Sequence, residues 1–233
     1  MKIQEIIRSF IPYIAKVPLS EKILSGLAGG IAISLLALAL QYFPQSTYLL
    51  MLPASMAASA LLLFAIPHSP LAQPWNLVGG HFISALAGWC SILCIHDPWL
   101  SAGVGVGAAI FLMHYLNCLH PPGAATTLLV VLNRVQFQTI GFPRLMDIVI
   151  INSICLLLLA LIINNIIPGR KYPIRNIPQP LPKPGLFISL EQQDLELALE
   201  QMGSVIDVSD EDLAQIYQFA VNNAQARNDK LPT

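Results

Sequence analysis

Histidines stand where one apolar stretch ends and the next begins, with a proline two residues later. The two candidates for a functional role are His68, before Pro70, and His120, before Pro122. Proline is favoured in the first turn of a helix, and helix N-termini attract anions through unpaired N–H groups and the helix dipole. A neutral histidine donates one hydrogen bond, and a protonated one adds positive charge. We therefore predict that each histidine helps to hold a small anion; the alternative is a loop histidine whose ring nitrogens are already satisfied.

Other polar side chains lie in stretches that are otherwise apolar. Polar residues within membrane spans usually face the interior of the helix bundle and often mark a solute pathway. A structural hydrogen bond between helices would also explain each of them singly. Together with the two histidines, the candidate pathway residues are Ser55, Ser59, Gln73, Asn76, His81, Thr126 and Thr127.

The elements that must position these residues belong to an almost uncharged stretch of chain. From Lys22 to Arg134 the only formally charged side chain is that of Asp97. The 233 residues are 55% hydrophobic and 11% charged, with a mean hydropathy of +0.64, whereas a soluble domain carries about a quarter charged residues. The chain is therefore expected to be a polytopic integral membrane protein whose main partner is the lipid bilayer. A net charge of −1 argues against nucleic acid as a partner.

Five apolar segments agree with a length criterion of roughly 20 residues for about 30 Å of hydrocarbon, with approximate bounds 23–42, 47–66, 77–95, 99–118 and 145–167. A further segment, 121–132, is too short for a full-length span but apolar enough to lie at membrane depth. If the short fifth segment crosses, both termini share the cytoplasmic side with most Lys and Arg residues, and only Arg134 and Arg144 lie outside, in agreement with the positive-inside rule. If that segment is re-entrant, the asymmetry weakens. The sequence thus predicts an all-α helix bundle of about six spans with a short fifth helix. Pro53, inside the second span, would free backbone groups that need a partner.

The domain organisation follows from shifts in composition. Residues 1–22 form a basic interfacial segment, residues 23–167 the transmembrane domain, residues 168–188 a proline-rich linker, and residues 189–233 an acidic tail with the pattern of two helices. Pairs of small residues four apart allow helices to approach closely, either within the chain or between copies. With such pairs in several spans, a homo-oligomer is expected.

Sequence motifs of covalent chemistry are missing from the chain. No carboxylate pair occurs in the spans, and no His-Glu-x-x-His, Gly-x-Ser-x-Gly or phosphate-binding loop is present. The four cysteines have neither the CxxC nor the Cys/His spacing of a metal site. We therefore expect no enzyme activity, no cofactor and no bound metal.

Three motifs together resemble a known family. They are residues 69–76 (SPLAQPWN), residues 79–81 (GGH) and residues 120–124 (HPPGA), and they are similar to the HPP family of integral membrane proteins, named for the last motif. The resemblance covers about residues 20–170. Family members in cyanobacteria and in the chloroplast envelope are associated with nitrite transport, so the resemblance implies a nitrite transporter in a bacterial, cyanobacterial, inner membrane with both termini cytoplasmic.

This sequence departs from the family pattern at two positions. Trp75 stands where members commonly have arginine, and Ala124 stands where they commonly have a second glycine. Loss of the arginine removes a fixed positive charge, so that helix N-termini and histidines would have to attract the anion.

The resulting hypothesis is a transporter for a small monovalent anion, nitrite first, with its site near the N-terminal ends of spans three and five. The alternative is a membrane scaffold or assembly protein that acts through its acidic C-terminal helical hairpin. Deletion of residues 186–233 separates the two, because transport would largely survive it and the scaffold's binding of a partner would not.

Overall fold

A computed structural model describes residues 17–42 and 53–174. Within these ranges the regular elements are seven α-helices and one 3₁₀ turn, which confirms the predicted all-α helix bundle. They are α1 (Leu19–Leu40), α2 (Pro53–Ala65), the 3₁₀ turn (Pro70–Ala72), α3 (Pro74–Cys94), α4 (Pro98–Tyr115), α5 (Pro121–Leu132), α6 (Arg134–Ile140) and α7 (Phe142–Ile166).

The helices differ in whether their length alone allows them to cross a membrane. Among the described residues, α1, α3, α4 and α7 are long and apolar enough. Helices α2 and α5 have 13 and 12 residues, which at 1.5 Å per residue is about 20 Å and 18 Å. By length and composition, four of the described helices could each cross a membrane, and residues 47–52 of the second predicted span lie outside the described residues. The short helix predicted at residues 121–132 has these same bounds in the structure.

Helices α3 and α5 run parallel to each other. Near the start of α3, Asn76 Nδ2 donates to Leu119 O over 2.8 Å. At the other end of α3, Arg134 Nη2 donates to Ile92 O over 2.6 Å. Helices α3 and α5 therefore run in the same direction. The two helices must be linked by an element that runs back across the bundle.

Helix α4 supplies that return. Trp75 Nε1, at the start of α3, donates to Leu116 O, just after the end of α4, over 3.1 Å. Ser91 Oγ, near the end of α3, donates to the carbonyl of Ser101, near the start of α4, over 2.5 Å. Helix α4 is therefore antiparallel to both α3 and α5.

Helices α2 and α7 also run opposite to α3. The ring of Trp89, late in α3, lies 5.6 Å from that of Phe142, the first residue of α7. At the other end of α7, Asn164 Nδ2 donates to Leu63 O in the last turn of α2 over 3.0 Å. The apolar helices α2, α3, α4, α5 and α7 thus alternate in direction, as the six-span topology requires.

Glycines allow α3 and α5 to approach closely. A Cβ atom on Gly80 would lie 2.5 Å from His120 Cβ, and one on Gly88 would lie 3.0 Å from Val130 Cβ. Gly123, in the first turn of α5, would place a Cβ atom 3.0 Å from the backbone oxygen of Gly80. A contact of 2.5 Å is essentially never made by a real Cβ atom, and contacts of 3.0 Å are tighter than most, so the close α3–α5 contact depends on Gly80 and is favoured by Gly88 and Gly123.

Other glycines among the described helices have open space in place of a contact. Gly26 and Gly30 of α1, and Gly103 and Gly107 of α4, would meet nothing within 4 Å. These pairs therefore do not serve packing within the described part of the chain. Their surfaces are open to lipid or to another molecule.

One feature of the described helices differs from the sequence-based expectation. Helix α6 was not expected, and Arg134 at its start donates to the carbonyls of Ile92, Ile95 and His96 at the end of α3. The described part of α2 begins at Pro53, and the residues immediately before it lie outside the described residues. The interfacial segment to residue 16, the linker from residue 175 and the acidic tail lie outside the described residues.

Candidate functional site: a buried histidine pair

Three helices bring six of the predicted polar residues into one buried cluster. Helix α2 contributes two serines that are one turn apart, α3 contributes a histidine, and α5 contributes its N-capping histidine and two adjacent threonines. All six side chains are 0% exposed: Ser55, Ser59, His81, His120, Thr126 and Thr127. We refer to His81 and His120 as the histidine pair.

The hydroxyl of Ser59 joins the two histidines. Ser59 Oγ lies 2.8 Å from His81 Nε2 and 2.9 Å from His120 Nε2. The centroids of the two imidazole rings are 5.1 Å apart, and their planes meet at 67°. One serine hydroxyl on α2 therefore contacts one histidine of α3 and one at the start of α5.

The outer ring nitrogens of the histidine pair also have partners. His81 Nδ1 lies 2.7 Å from Thr126 Oγ1. His120 Nδ1 lies 2.9 Å from the carbonyl oxygen of Leu71, in the 3₁₀ turn. All four imidazole nitrogens are thus within hydrogen-bond distance of an oxygen.

Elementary donor counting fixes the direction of these hydrogen bonds when both imidazoles are neutral. The carbonyl of Leu71 only accepts, so His120 Nδ1 carries a proton and His120 Nε2 is an acceptor. For every imidazole nitrogen to be hydrogen-bonded, the Ser59 hydroxyl must donate to His120 Nε2 rather than to Ser55 O, which lies 3.0 Å away, and His81 Nε2–H must donate to Ser59 Oγ. His81 Nδ1 is consequently an acceptor, and the Thr126 hydroxyl donates to it. The two histidines therefore have opposite tautomers.

The histidine pair lies well inside the bundle rather than at its end. A Cβ atom on Gly80 would touch His120 Cβ, and Gly80 is the seventh residue of α3, which begins at Pro74. Six residues correspond to about 9 Å along a helix axis. The non-helical segment between α4 and α5 therefore enters the bundle to this depth before α5 begins.

Two of the predicted pathway residues hold that backbone and do not belong to the cluster. Asn76 Nδ2 donates to Leu119 O over 2.8 Å. Gln73 Nε2 donates to Ser69 O over 2.9 Å, and its Oε1 accepts from Ile174 N over 3.0 Å. Both side chains thus anchor the turns that carry Leu71 and His120. Their role in the structure is positional.

The threonines and His68 have separate positions. Thr127 Oγ1 donates to Ser84 O of α3 over 2.8 Å, so it fastens α5 to α3, whereas Thr126 contacts His81. His68 is exposed in the turn after α2 and lies outside the cluster. Of the two candidate histidines that stand before prolines, the structure brings only His120 together with His81.

The first turn of α5 differs from the expected anion site. Pro121 and Pro122 carry no N–H, and the N–H of Gly123 donates to His120 O over 2.8 Å. The first three residues of α5 therefore offer no unpaired N–H group to an anion. The hydrogen-bond donors available at the cluster are side chains: the hydroxyls of Ser59 and Thr126, and an imidazole N–H.

The charged groups that the structure describes lie away from the histidine pair. Arg170 donates to Asn164 Oδ1 over 3.2 Å and pairs with Glu21. Arg134 caps the far end of α3. Among residues 17–42 and 53–174, no group of three or more His, Cys, Asp or Glu side chains has the arrangement of a metal site.

Sequence patterns gave no sign of two further contacts that support the site. Leu71 participates through its backbone carbonyl, which any residue would supply. Tyr172 Oη donates to Ala72 O over 2.7 Å, and this side chain is 2% exposed. Burial raises the pKa of the Tyr172 phenol. Because Tyr172 lies among the prolines of the predicted linker, its sequence context indicated an exposed residue.

Comparison with known proteins agrees with the motifs. Two transmembrane proteins of Dictyostelium discoideum are 40% and 43% identical to this chain over 126 residues, which is 52% of this chain in each case. The matched region is 43% and 40% of the length of those proteins, so this chain spans less than half of the curated relatives it matches. No solved structure matches the chain. The family model described as HPP, transmembrane region, matches residues 14–173, and the chain therefore belongs to the HPP family of membrane proteins.

Proposed function

We propose that this protein transports a small monovalent anion, nitrite, across a membrane, and that the histidine pair is the central binding site. The observation that carries the proposal is the convergence of His81 and His120 on the hydroxyl of Ser59, with all three side chains fully buried. Ionisable residues at membrane depth are energetically costly and usually mark a substrate or proton pathway.

The broken backbone at His120 supports the same proposal. Transporters commonly bind their solutes near the membrane midplane, where interrupted helices expose polar groups to the solute. Here the segment before α5 enters the bundle by about 9 Å, the depth that six residues of α3 span. Non-helical backbone at membrane depth is tolerated where protein surrounds it or where it lines a cavity.

The chemistry of the cluster is suited to an ion with few atoms. In this arrangement the six polar side chains are completely buried. A nitrite ion has two acceptor oxygens. On binding, one oxygen would replace Ser59 Oγ as acceptor from His81 Nε2–H, and the other would accept from the Ser59 hydroxyl.

Trp75 leaves this site without a fixed positive charge. Its indole Nε1 donates to Leu116 O, and the residue is 58% exposed. Trp75 therefore supports the segment before α5 and contributes no charge. We propose that the anion is attracted by neutral donors and by protonation within the histidine pair.

The assembly and the location of the transporter remain part of the proposal. Gly26 and Gly30 leave one surface of α1 open, and we propose that a second copy of this chain packs near it. A bacterial inner membrane with both termini in the cytoplasm is proposed on the basis of the charge distribution and the family resemblance.

The proposal is tested by nitrite uptake into liposomes that contain the purified protein. Uptake above that of protein-free liposomes is expected from the wild type and from His68→Ala, because His68 is exposed and remote from the cluster. His120→Ala is expected to lose most of this uptake while it is recovered in equal amount as folded protein. Absence of wild-type uptake would refute nitrite transport, and full uptake by His120→Ala would remove the histidine pair from the pathway.

A further inference from the structure

We propose that the histidine pair is a binding site for one proton, and that the protein moves one proton together with each nitrite ion. This inference rests on the proposed transport of nitrite and adds the identity of the coupling ion. It follows from the hydrogen-bond geometry around Ser59, which accommodates one additional proton without loss of a contact.

In the neutral cluster, the hydroxyl proton of Ser59 points to His120 Nε2, at 2.9 Å. The same hydroxyl has a second acceptor, the backbone carbonyl of Ser55 one turn earlier in α2, at 3.0 Å. Only one of these acceptors can receive the single hydroxyl proton at a time. Ser59 can therefore change its donor direction by rotation of one O–H bond.

An incoming proton is accommodated on His120 Nε2. His120 Nε2–H then donates to Ser59 Oγ, and the Ser59 hydroxyl turns to the carbonyl of Ser55. Ser59 Oγ accepts from His81 and from His120 at once, which uses its two lone pairs. The Leu71 carbonyl continues to accept from His120 Nδ1. Every contact of the neutral cluster is kept, and no covalent bond other than the new N–H is formed.

The other imidazole nitrogen that could take the proton is His81 Nδ1, and its hydrogen-bond partner is less favourable. Protonation of His81 Nδ1 would turn Thr126 Oγ1 into an acceptor, and its hydroxyl proton would need another partner. In the described part of the chain, the Thr126 hydroxyl has its hydrogen bond with His81 Nδ1. Two protons at once are disfavoured, because the ring centroids are only 5.1 Å apart and like charges repel strongly at low dielectric constant. The histidine pair therefore takes one proton.

Within residues 17–42 and 53–174, no fixed charge beside the histidine pair would balance this proton. Among the described residues, α2 presents serines to the pair, the 3₁₀ turn presents a carbonyl, and α3 and α5 present hydroxyls. The other titratable groups nearby are Cys118, beside Gly79 and Gly80, and Tyr172, which is bonded to Ala72. The counter-charge must come from the transported anion.

Mutual neutralisation makes the movement of the two ions electroneutral. A lone anion in the site would lack a cation, and a lone proton would lack an anion, so each is expected to bind tightly only when the other is present. Transport is then driven by the proton gradient and does not respond to membrane voltage.

The decisive experiment measures nitrite and proton movement together in proteoliposomes with an entrapped pH dye and a voltage set by potassium and valinomycin. Uptake by protein-free liposomes is subtracted, because nitrous acid crosses lipid by itself. We expect one proton to enter per nitrite and the initial rate to be equal at all voltages. His114→Gln, a matched change at an exposed histidine of α4, should behave as wild type.

The outcomes separate this inference from the proposed function. No protein-dependent nitrite uptake would refute nitrite transport itself. Uptake that follows voltage without acidification of the lumen would overturn proton coupling and leave nitrite transport intact. Electroneutral uptake retained by folded His120→Gln would place the proton on the solute and overturn its assignment to the histidine pair.

A spectroscopic measurement on the wild type covers the case in which His120→Gln fails to fold. Nitrogen-15 solid-state spectra of histidine-labelled protein distinguish the two neutral tautomers from imidazolium. At constant pH, nitrite is expected to convert one buried histidine from the Nδ1–H tautomer to imidazolium. Unchanged histidine signals under saturating nitrite would overturn the proton site.

Discussion

Replacement of Gly80 by alanine tests the contact that positions His120. The added Cβ atom would lie 2.5 Å from His120 Cβ and 3.0 Å from the carbonyl oxygen of Cys118, whereas carbon atoms in contact are normally about 3.5–4.0 Å apart. His120 or the whole start of α5 must therefore move by about 1 Å. Overpacking of this kind costs roughly 1–3 kcal/mol. Displacement also weakens the hydrogen bonds of His120 to Ser59 and Leu71, each worth about 0.5–1.5 kcal/mol net.

Gly103→Ala is the matched control, since Gly103 is also helical but has nothing within 4 Å of the added atom. The change in helix propensity is the same in both variants and cancels in the comparison. We expect Gly80→Ala to be less stable than Gly103→Ala by about 2–4 kcal/mol, the sum of overpacking and weakened hydrogen bonds. At about 2–4 °C per kcal/mol for a chain of this size, the difference in Tm is about 4–16 °C.

The assay is the fraction of detergent-solubilised protein that remains monodisperse after heating, measured at one heating rate for all variants. Gly88→Ala, whose added atom would lie 3.0 Å from Val130 Cβ, is expected to fall between the other two. Equal thermal stability of Gly80→Ala and Gly103→Ala would refute the close packing of α3 against the start of α5. In that case the placement of His120 beside Ser59 would also lose its support.

Three further predictions concern other contacts. In nitrogen-15 spectra at neutral pH without nitrite, His81 is expected as the Nε2–H tautomer and His120 as the Nδ1–H tautomer; identical tautomers would contradict the directed hydrogen bonds. Arg134→Lys should lower Tm, because one ammonium group cannot reach all the carbonyls at the end of α3 that the guanidinium caps, and an unchanged Tm would refute this capping role. The pKa of Tyr172 is raised in the folded protein, so its contribution to stability is complete below the phenol's unfolded pKa of about 10 and is lost as pH rises above it. Tyr172→Phe should lower Tm at neutral pH and weaken the alkaline loss; equal alkaline curves would contradict this.

Several features of the fold were predictable because they depend on local composition. The nearly uncharged stretch from Lys22 to Arg134 requires a membrane, since no soluble domain leaves so long a stretch uncharged. The bounds of the short fifth helix follow from Pro121 at its start and from its apolar length. Helix α6 was missed because seven residues with mixed polarity give no clear period.

The candidate site was predictable only as a set of residue types. The sequence identified Ser59, His81 and His120 as polar residues in apolar stretches. The His-x-Pro pattern that selected His120 selected His68 equally. A pattern along the chain cannot show which of two similar turns enters the bundle.

Sequence by itself determined that this protein is a membrane helix bundle with histidines at the ends of apolar segments. Tertiary structure decided which of them meet, because the contacts of Ser59 with His81 and His120 join residues 22 and 61 positions apart. Those contacts depend on how closely α3 approaches α5, which Gly80 permits, and on the Leu71 carbonyl, which sets the direction of every hydrogen bond in the cluster. His120 thus provides a buried imidazole, which the His-x-Pro pattern alone could not distinguish from the exposed imidazole of His68.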